Sequence, residues 1–305
     1  MTAAALLAAT AWVAYALGGP RLARRLRPPA AARALVFAAV VVAASSLVVL
    51  GAVAATWIGQ LPEVGRLGWW SATALRAESP IPRVPAMACA VLVCLAVANL
   101  TRAGWRRVRV LFGLSRCCRE LHATDGVILL DSERRDAFTT TPPNARIVVT
   151  TGLLDRLSAD EGRALFAHER SHLDHRHGWW ILAADLAAAV NPLLVPTAGA
   201  VRRAVERWAD EDAARVVGDR GLVARSLART ALLVNAPAAV PVAAASGGDV
   251  GDRVRAMLGP PPRTRPLPAA VLAVMLLLAV VASGTVPYDA DLLFDRAGLS
   301  ASASR

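Results

Sequence analysis

The sequence contains no lysine and little charge of either sign. All 34 basic residues are arginine, charged residues make up 19% of the 305 positions, and 55% of the residues are hydrophobic. A soluble globular domain carries more charge and less apolar material than this. The composition therefore excludes an ordinary soluble domain, and it excludes a disordered chain for the same reason. The length leaves room for one compact domain and several membrane spans.

Cysteine is also scarce, and its spacing carries no sign of a cysteine-based site. The four cysteines form no Cys-x-x-Cys pair, and Cys117 and Cys118 are adjacent, a spacing that rarely suits a disulfide bond. Neither a zinc knuckle nor a disulfide framework is indicated.

The sequence does contain four long stretches with almost no charged side chain. Each can supply the roughly 20 apolar residues that cross a bilayer. They predict three transmembrane helices in the first part of the chain, at about 1–20, 34–60 and 84–101, and a fourth at 266–288.

Arginines are distributed unevenly between these stretches. The net charge is +11, and most of the excess lies in the loop 20–33 and in the segment 102–265. Because cytoplasmic loops are rich in arginine and lysine, this pattern predicts a multi-pass plasma membrane protein with 102–265 in the cytoplasm. Both ends of the chain, including a short tail over 289–305, are then extracytoplasmic.

The segment 102–265 allows two other interpretations, namely further contact with the bilayer and binding of nucleic acid. The stretches 186–201 and 230–248 lack charge but contain prolines, so we expect no span there, and their contact with the bilayer is left open. The basic balance could instead mark a nucleic-acid surface. The segment has no recognisable helix-turn-helix and no interleaved aromatic and basic residues, so no nucleic acid is expected as a partner.

Four of the five histidines lie between positions 168 and 177, where His168, Glu169 and His172 form a His-Glu-x-x-His motif. On a helix, the i, i+4 spacing directs both imidazoles towards one ion. The alternative is a surface face on which Glu169 pairs with a neighbouring arginine. His175 and His177 are predicted to be polar residues near the helix end rather than ligands.

The residues around the motif favour a helix. Ser158 and Glu161 have the spacing of a capping box, in which each satisfies a backbone amide of the other. An apolar face follows, and Gly178 is a plausible stop. These features predict a helix over about 159–177 and disfavour the surface alternative.

Two imidazoles do not hold a catalytic zinc ion alone, so a third protein ligand is needed. The best candidates are Glu206 and Asp210, which are also spaced i, i+4 and therefore share one helical face. From the spacing, one of the two can bind zinc while the other orients a histidine ligand.

Three short β-rich segments precede the motif. They are 127–130, 137–140 and 145–150, and the last leads into a short helix at 151–154. A small sheet beside a zinc helix offers an edge to which a peptide can add as a strand. We therefore predict that Ile147, Val148 and Val149 bind the substrate.

These motifs together resemble the integral-membrane zinc metallopeptidases, a group that includes HtpX-like proteases, CAAX prenyl proteases and BlaR/MecR-type transducers. The resemblance covers about residues 102–225, and the segments that carry it are 136–138, 147–154, 168–172 and 206–210. It implies a mainly α-helical, multi-span membrane protein with an inserted gluzincin-type protease domain (α+β, a small sheet plus the motif helix) over 102–265. The short tail after the fourth span leads us to expect no penicillin-binding sensor.

The resemblance also assigns roles to the candidate residues. It implies that His168, His172 and Glu206 bind one Zn²⁺ ion per chain, that Glu169 is the general base, and that Asp210 supports the site. The implied activity is zinc-dependent hydrolysis of peptide bonds in a protein or peptide substrate.

Three functions remain open at this point. They are regulatory cleavage of a cytoplasmic repressor, HtpX-like quality control of membrane proteins, and a non-catalytic membrane sensor with a structural metal site. The physiological substrate, the activating signal and the oligomeric state are not readable from the sequence.

Overall fold

The structure is a computed structural model, and it describes residues 1–119, 123–140, 145–234, 247–263 and 266–303. Most of these residues are helical. Four helices are long and apolar enough to cross a membrane. They are α1 (Thr2–Ala23), α2 (Pro28–Ile58), α5 (Arg83–Arg119) and α12 (Pro266–Ala303), and two short helices, α3 (Pro62–Gly68) and α4 (Ala72–Glu78), connect α2 to α5.

α2 is the central helix of this bundle and packs against α1, α5 and α12. Eight of its 15 buried residues are alanine or serine, small side chains that let helices approach closely and gain van der Waals contact. Two buried hydrogen bonds join α1 to α2: Trp12 Nε1 donates to Ser45 Oγ at 3.1 Å, and Tyr15 Oη donates to the Leu35 carbonyl at 3.2 Å. The chain is therefore a mainly α-helical membrane protein.

α12 extends well past the predicted span. It remains helical to Ala303, and its last turns pack against α4 through Leu293 and Ala297, which cover Leu75. The segment described above as a tail over 289–305 is therefore helical over the part that the structure describes.

A three-stranded sheet lies between α5 and the motif helix. It consists of β1 (Val127–Leu130), β2 (Ala137–Thr139) and β3 (Ile147–Thr150), in the order β1-β3-β2, with β1 parallel and β2 antiparallel to β3.

The strand order corrects the predicted substrate residues. Ile147, Val148 and Val149 lie on the central strand, are at most 2% exposed, and pair with a strand on each side. Their backbone groups are already hydrogen-bonded, so they cannot receive a substrate strand. The sheet edge next to the motif helix belongs to β2 instead.

Six α-helices lie between the sheet and α12 in the part of the chain that the structure describes. α6 (Thr151–Leu154) leads to the motif helix α7 (Ala159–Asp174), then come α8 (His177–Val190), a 3₁₀ turn at Pro192–Leu194, α9 (Val195–Val217), α10 (Arg220–Val234) and α11 (Gly247–Leu258). The predicted stretch 230–248 falls on the end of α10 and the start of α11, and its residues 235–246 lie outside the described residues.

The predicted capping box of α7 is confirmed. Ser158 Oγ accepts a hydrogen bond from the Glu161 amide, and Glu161 accepts one from the Ser158 amide. The predicted C-terminus is wrong by three residues. The helix ends at Asp174 because Arg176 takes a left-handed conformation with φ 52°, which turns the chain and lets His177 begin α8.

α8 and α9 belong to the same core as the candidate spans. Ala184 and Ala187 of α8 and Val201, Val205 and Trp208 of α9 are buried in one cluster with residues of α1, α2 and α12. The apolar stretch 186–201 therefore packs against the spanning helices. This packing fixes α9 against the bundle on one face and leaves its other face free to meet α7.

Candidate active site

α7 presents the two histidines of the motif side by side. His168 and His172 lie one turn apart, and their Nε2 atoms are 3.1 Å from each other. Both side chains are only 14% exposed. The helical spacing predicted from the sequence therefore brings the two imidazole nitrogens to one point.

α9 crosses α7 and brings Glu206 to the same point. Glu206 Oε2 lies 3.6 Å from His168 Nε2, and Glu206 Oε1 lies 3.7 Å from His172 Nε2. Among the described residues, these three form a group whose ligand atoms all lie within 4.8 Å of one another. A tetrahedral zinc ion with bonds of about 2.0 Å holds its ligand atoms about 3.3 Å apart. The nitrogen and oxygen atoms fit zinc in both spacing and chemical type.

Asp210 lies one turn after Glu206 and contacts the Nδ1 side of the His168 ring, opposite the cluster. Its side chain is 1% exposed, and its Oδ1 is 3.0 Å from His168 Nδ1. Because Nδ1 faces a carboxylate, Nε2 is the ring nitrogen turned towards the cluster. The two carboxylates of α9 thus occupy the two different positions that their i, i+4 spacing allowed.

Arg253 of α11 joins these two carboxylates, and sequence reasoning missed it. Its Nε and Nη2 donate to Asp210 at 2.8 and 2.7 Å, and its Nη1 lies 2.8 Å from Glu206 Oε2. The sequence placed Arg253 only among the arginines that set topology. No local motif marks it, because α11 is separated from α9 by a whole helix and reaches the site only through tertiary packing.

These charges keep both carboxylates ionised although they are buried. Burial alone would raise the pKa of Glu206, but hydrogen bonding with His168 and the charge of Arg253 hold it well below its usual value. The pKa of Asp210 is lowered against the same effect of burial by its hydrogen bonds with Arg253 and His168. For His168, burial is again outweighed, and contacts with Asp210 and Glu206 raise its pKa to about 10.

Glu169 points to the same cleft and is held by β2. Thr139 Oγ1 donates a hydrogen bond to Glu169 Oε2 at 2.8 Å. The contact fixes one carboxylate oxygen and leaves the other for a further partner. Sequence reasoning placed Thr139 on a strand but assigned it no role, because only the pairing of β2 with β3 brings it to α7.

His177 differs most from its predicted position. It is fully buried rather than a polar residue at the helix end, and its Nδ1 lies 3.0 Å from His172 Nδ1. Burial, together with the neighbouring His172, lowers the pKa of His177 to about 3, so the ring is neutral. The Gly-Trp-Trp that follows it was the available signal of an apolar setting. His175 is 38% exposed and pairs with Asp212 at 2.8 Å.

Two cavities reach the cluster: His168, Glu169 and Glu206 line both, and His172 lines the first. One, of about 350 Å³, lies between β2 and the ends of α7 and α8, with Phe138, Leu173 and Ile181 beside the histidines. The other, of about 400 Å³, lies towards α10 and α11, with Val223, Leu227 and Val250 in its wall. The cluster is therefore reachable from two cavities, and each of them places apolar side chains beside the candidate ligands.

The fold and the cluster define a class of membrane protein with an inserted metallopeptidase-like segment. Residues 114–190 match the model of peptidase family M48. This matched segment contains β1 to β3 and the His-Glu-x-x-His motif. Curated relatives named Protease HtpX, from Legionella pneumophila strains Corby, Lens and Philadelphia 1, are each 41% identical over 68 residues. These matches confirm the predicted resemblance to membrane metallopeptidases of the HtpX-like group.

The extent of these similarities is limited. Each alignment with a Protease HtpX covers 21% of this chain, and the chain spans about a quarter (24%) of the length of those relatives. No solved structure matches the chain significantly. The further likeness to BlaR/MecR-type transducers stays a prediction.

Proposed function

We propose that this protein is a membrane-embedded zinc metalloendopeptidase in which His168, His172 and Glu206 bind the ion and Glu169 is the general base. The observation that carries the proposal is the convergence of two imidazoles and one carboxylate at zinc-like spacing, with Glu169 adjacent on the same helix. A structural zinc site is closed by four protein ligands, whereas three ligands leave a position for water.

The chemistry follows from the positions of the side chains. Zinc, when bound, would lower the pKa of its bound water towards neutrality and polarise the scissile carbonyl. Glu169 accepts the proton of the attacking water and returns it to the leaving amine. Thr139 holds Glu169 in one rotamer, and Asp210 keeps His168 oriented. No covalent intermediate with the protein is formed.

We infer that a substrate strand runs along β2 rather than β3. β2 is an edge strand of the sheet, and it lies beside Glu169 in the smaller of the two cavities that reach the cluster. An extended peptide there gains backbone hydrogen bonds from the free edge while its scissile carbonyl approaches the cluster.

The decisive test replaces Glu169 by Gln in the full-length protein. The variant should keep one zinc per chain and lose at least about 100-fold in cleavage of an unfolded protein such as casein, because the general base is gone. Glu78→Gln, an exposed substitution on α4, is the matched control and should leave cleavage unchanged. Zinc binding without cleavage in the wild type would favour the sensor alternative. Full activity of Glu169→Gln would refute the mechanism.

We further propose that the site faces the cytoplasm, since the arginine-rich loops lie on its side of the predicted spans. Asp174→Cys and Glu78→Cys, each introduced alone into a chain whose native cysteines have been replaced, test this orientation. In right-side-out vesicles, a membrane-impermeant maleimide should label the cysteine at 78 at once and the cysteine at 174 only after lysis. The reverse order would place the site outside.

Identifying the substrate as a repressor or a damaged membrane protein needs a comparison of cellular protein fragments between wild type and Glu169→Gln.

A further inference from the structure

A cavity of about 460 Å³ lies where the end of α1 and the start of α2 meet α9 and α11. It shares Arg253 with the candidate active site, but its wall includes none of His168, Glu169, His172 and Glu206. It is therefore a separate cavity, and the side chain of Arg253 connects it to the candidate metal ligands.

One side of this cavity is apolar and belongs to candidate membrane spans. Pro20 and Ala23 close α1, Leu26 lies in the following turn, and Ala31 and Leu35 belong to the first two turns of α2. The cavity is thus at the level where two spans end, and its apolar wall continues into the membrane part of the bundle.

The other side carries more positive charge than the protein itself neutralises. Arg255 pairs with Asp252 at 2.5 Å, and Arg253 is engaged by Asp210 and Glu206. Three further arginines line the cavity, namely Arg24, Arg203 and Arg207, and within the described ranges none of them lies within 4.0 Å of a carboxylate oxygen. Asp249 is the one other acid in the wall, so three positive charges face one negative charge.

Arg207 provides the observation that distinguishes this cavity from a solvated arginine face. Its Nε is buried and has no hydrogen-bond partner among the residues that the structure describes. A buried donor without an acceptor is unfavourable, and a guanidinium is normally satisfied by water, a carboxylate or a phosphate. The guanidinium fork matches the oxygens of a phosphate group in particular.

We propose that this cavity binds the phosphate headgroup of an anionic phospholipid, with Arg24, Arg203 and Arg207 around the phosphate and the apolar wall against the start of the acyl chains. A lipid fits better than a free phosphate ion, because the apolar side of the cavity can contact acyl chains but makes no favourable contact with a free anion. A lipid can also enter the cavity from the bilayer at the end of the spans. Basic pockets between membrane helices are the sites that anionic headgroups occupy.

The test titrates full-length, delipidated protein in non-ionic detergent with phosphatidylglycerol, phosphatidylcholine or inorganic phosphate, and counts bound molecules by native mass spectrometry. Phosphatidylglycerol should bind about one molecule per chain more tightly than phosphatidylcholine. Arg203→Gln and Arg207→Gln should each weaken it about fivefold, the value of one arginine near an anionic headgroup. Because Arg207 is partly buried, Arg203→Gln keeps the test valid if the Arg207 variant fails to fold.

Arg225→Gln is the matched control, since Arg225 is exposed on α10 and is not part of the cavity wall. Its binding of phosphatidylglycerol should equal that of the wild type, and all variants should keep their zinc content. The proposal is overturned if the control weakens binding as much as the cavity variants do, or if both lipids bind equally. It is also overturned if inorganic phosphate binds as tightly as the lipid, which would make the site one for a free anion.

Discussion

Arg253 donates to both carboxylate oxygens of Asp210, from Nε at 2.8 Å and from Nη2 at 2.7 Å, and Asp210 in turn holds the Nδ1 of His168 at 3.0 Å. A helix far along the chain is thus connected to a candidate metal ligand through one buried carboxylate. The relationship has a direct consequence for metal affinity and for stability.

Replacing Arg253 by Gln should weaken zinc binding about 10- to 100-fold, the usual effect of losing a residue that orients a ligand. It should also lower the thermal midpoint, because removing one partner of a buried ion pair costs about 3–5 kcal/mol. Arg253→Lys should be intermediate, since one ammonium cannot make the bidentate contact. Zinc competition and thermal unfolding measure both effects. The exposed Arg255→Gln is the control, and equal losses there would contradict the proposed role.

Replacing Glu206 by Ala should abolish stoichiometric zinc binding, because two imidazoles alone do not hold the ion. Glu133→Ala removes an exposed carboxylate and should leave the zinc content at one per chain. Elemental analysis of the two purified proteins checks this expectation. Full zinc occupancy in Glu206→Ala would move the third ligand to another residue.

Replacing Thr139 by Val should reduce kcat about 10- to 100-fold with little change in KM, because a hydrogen bond to a carboxylate contributes roughly 1.5–3 kcal/mol. Thr139→Ser keeps the hydroxyl and should restore the rate. Steady-state kinetics on a soluble peptide separates kcat from KM. A Ser variant as slow as the Val variant would show that the methyl group matters and not the contact with Glu169.

Replacing His177 by Phe should weaken zinc binding about tenfold while leaving the fold intact, because Phe keeps the ring beside Trp208 but cannot contact His172 Nδ1. His175→Phe is the matched change, since His175 also lies against Trp208 but faces Asp212 instead of the ligands. Zinc affinity should be near normal in that variant. Equal losses in the two proteins would assign the effect to packing.

The capping box makes a pH-dependent contribution to stability. The Ser158 amide is the main cause that lowers the pKa of Glu161 below its usual 4.5. A lowered carboxyl pKa stabilises the folded state above pH 4.5, and the contribution is lost as the pH falls through the folded value. Glu161→Gln keeps the hydrogen bond but not the charge. The wild type should therefore unfold at a higher temperature than this variant at pH 7, and the two should converge towards pH 3.

The sequence predicted the parts of the site that depend on local spacing. The capping box, the two histidines on one helix face and the pairing of Glu206 with Asp210 all follow from helical periodicity over a few residues. Arg253 and Thr139 could not be predicted in this way, because they meet the cluster only after α11 and β2 have packed against it. An arginine that belongs to the site is also indistinguishable, in sequence alone, from one that sets membrane topology.

Two predictions were wrong, each for its own physical reason. Strand order depends on which strands pair in space, so the edge could not be assigned to β2 instead of β3 before the sheet was seen. The end of α7 depends on a left-handed residue at Arg176, a conformation that arginine rarely adopts. That turn is also what carries His177 into the interior.

α9 carries Glu206 on the face that meets α7, while Val201, Val205 and Trp208 lie in the core shared with α1 and α2. A fragment limited to the predicted cytoplasmic segment would therefore expose the back of the very helix that supplies a metal ligand. Such a fragment should aggregate in aqueous buffer, and the proposed peptidase activity should therefore require the lipid or detergent that surrounds the spanning helices.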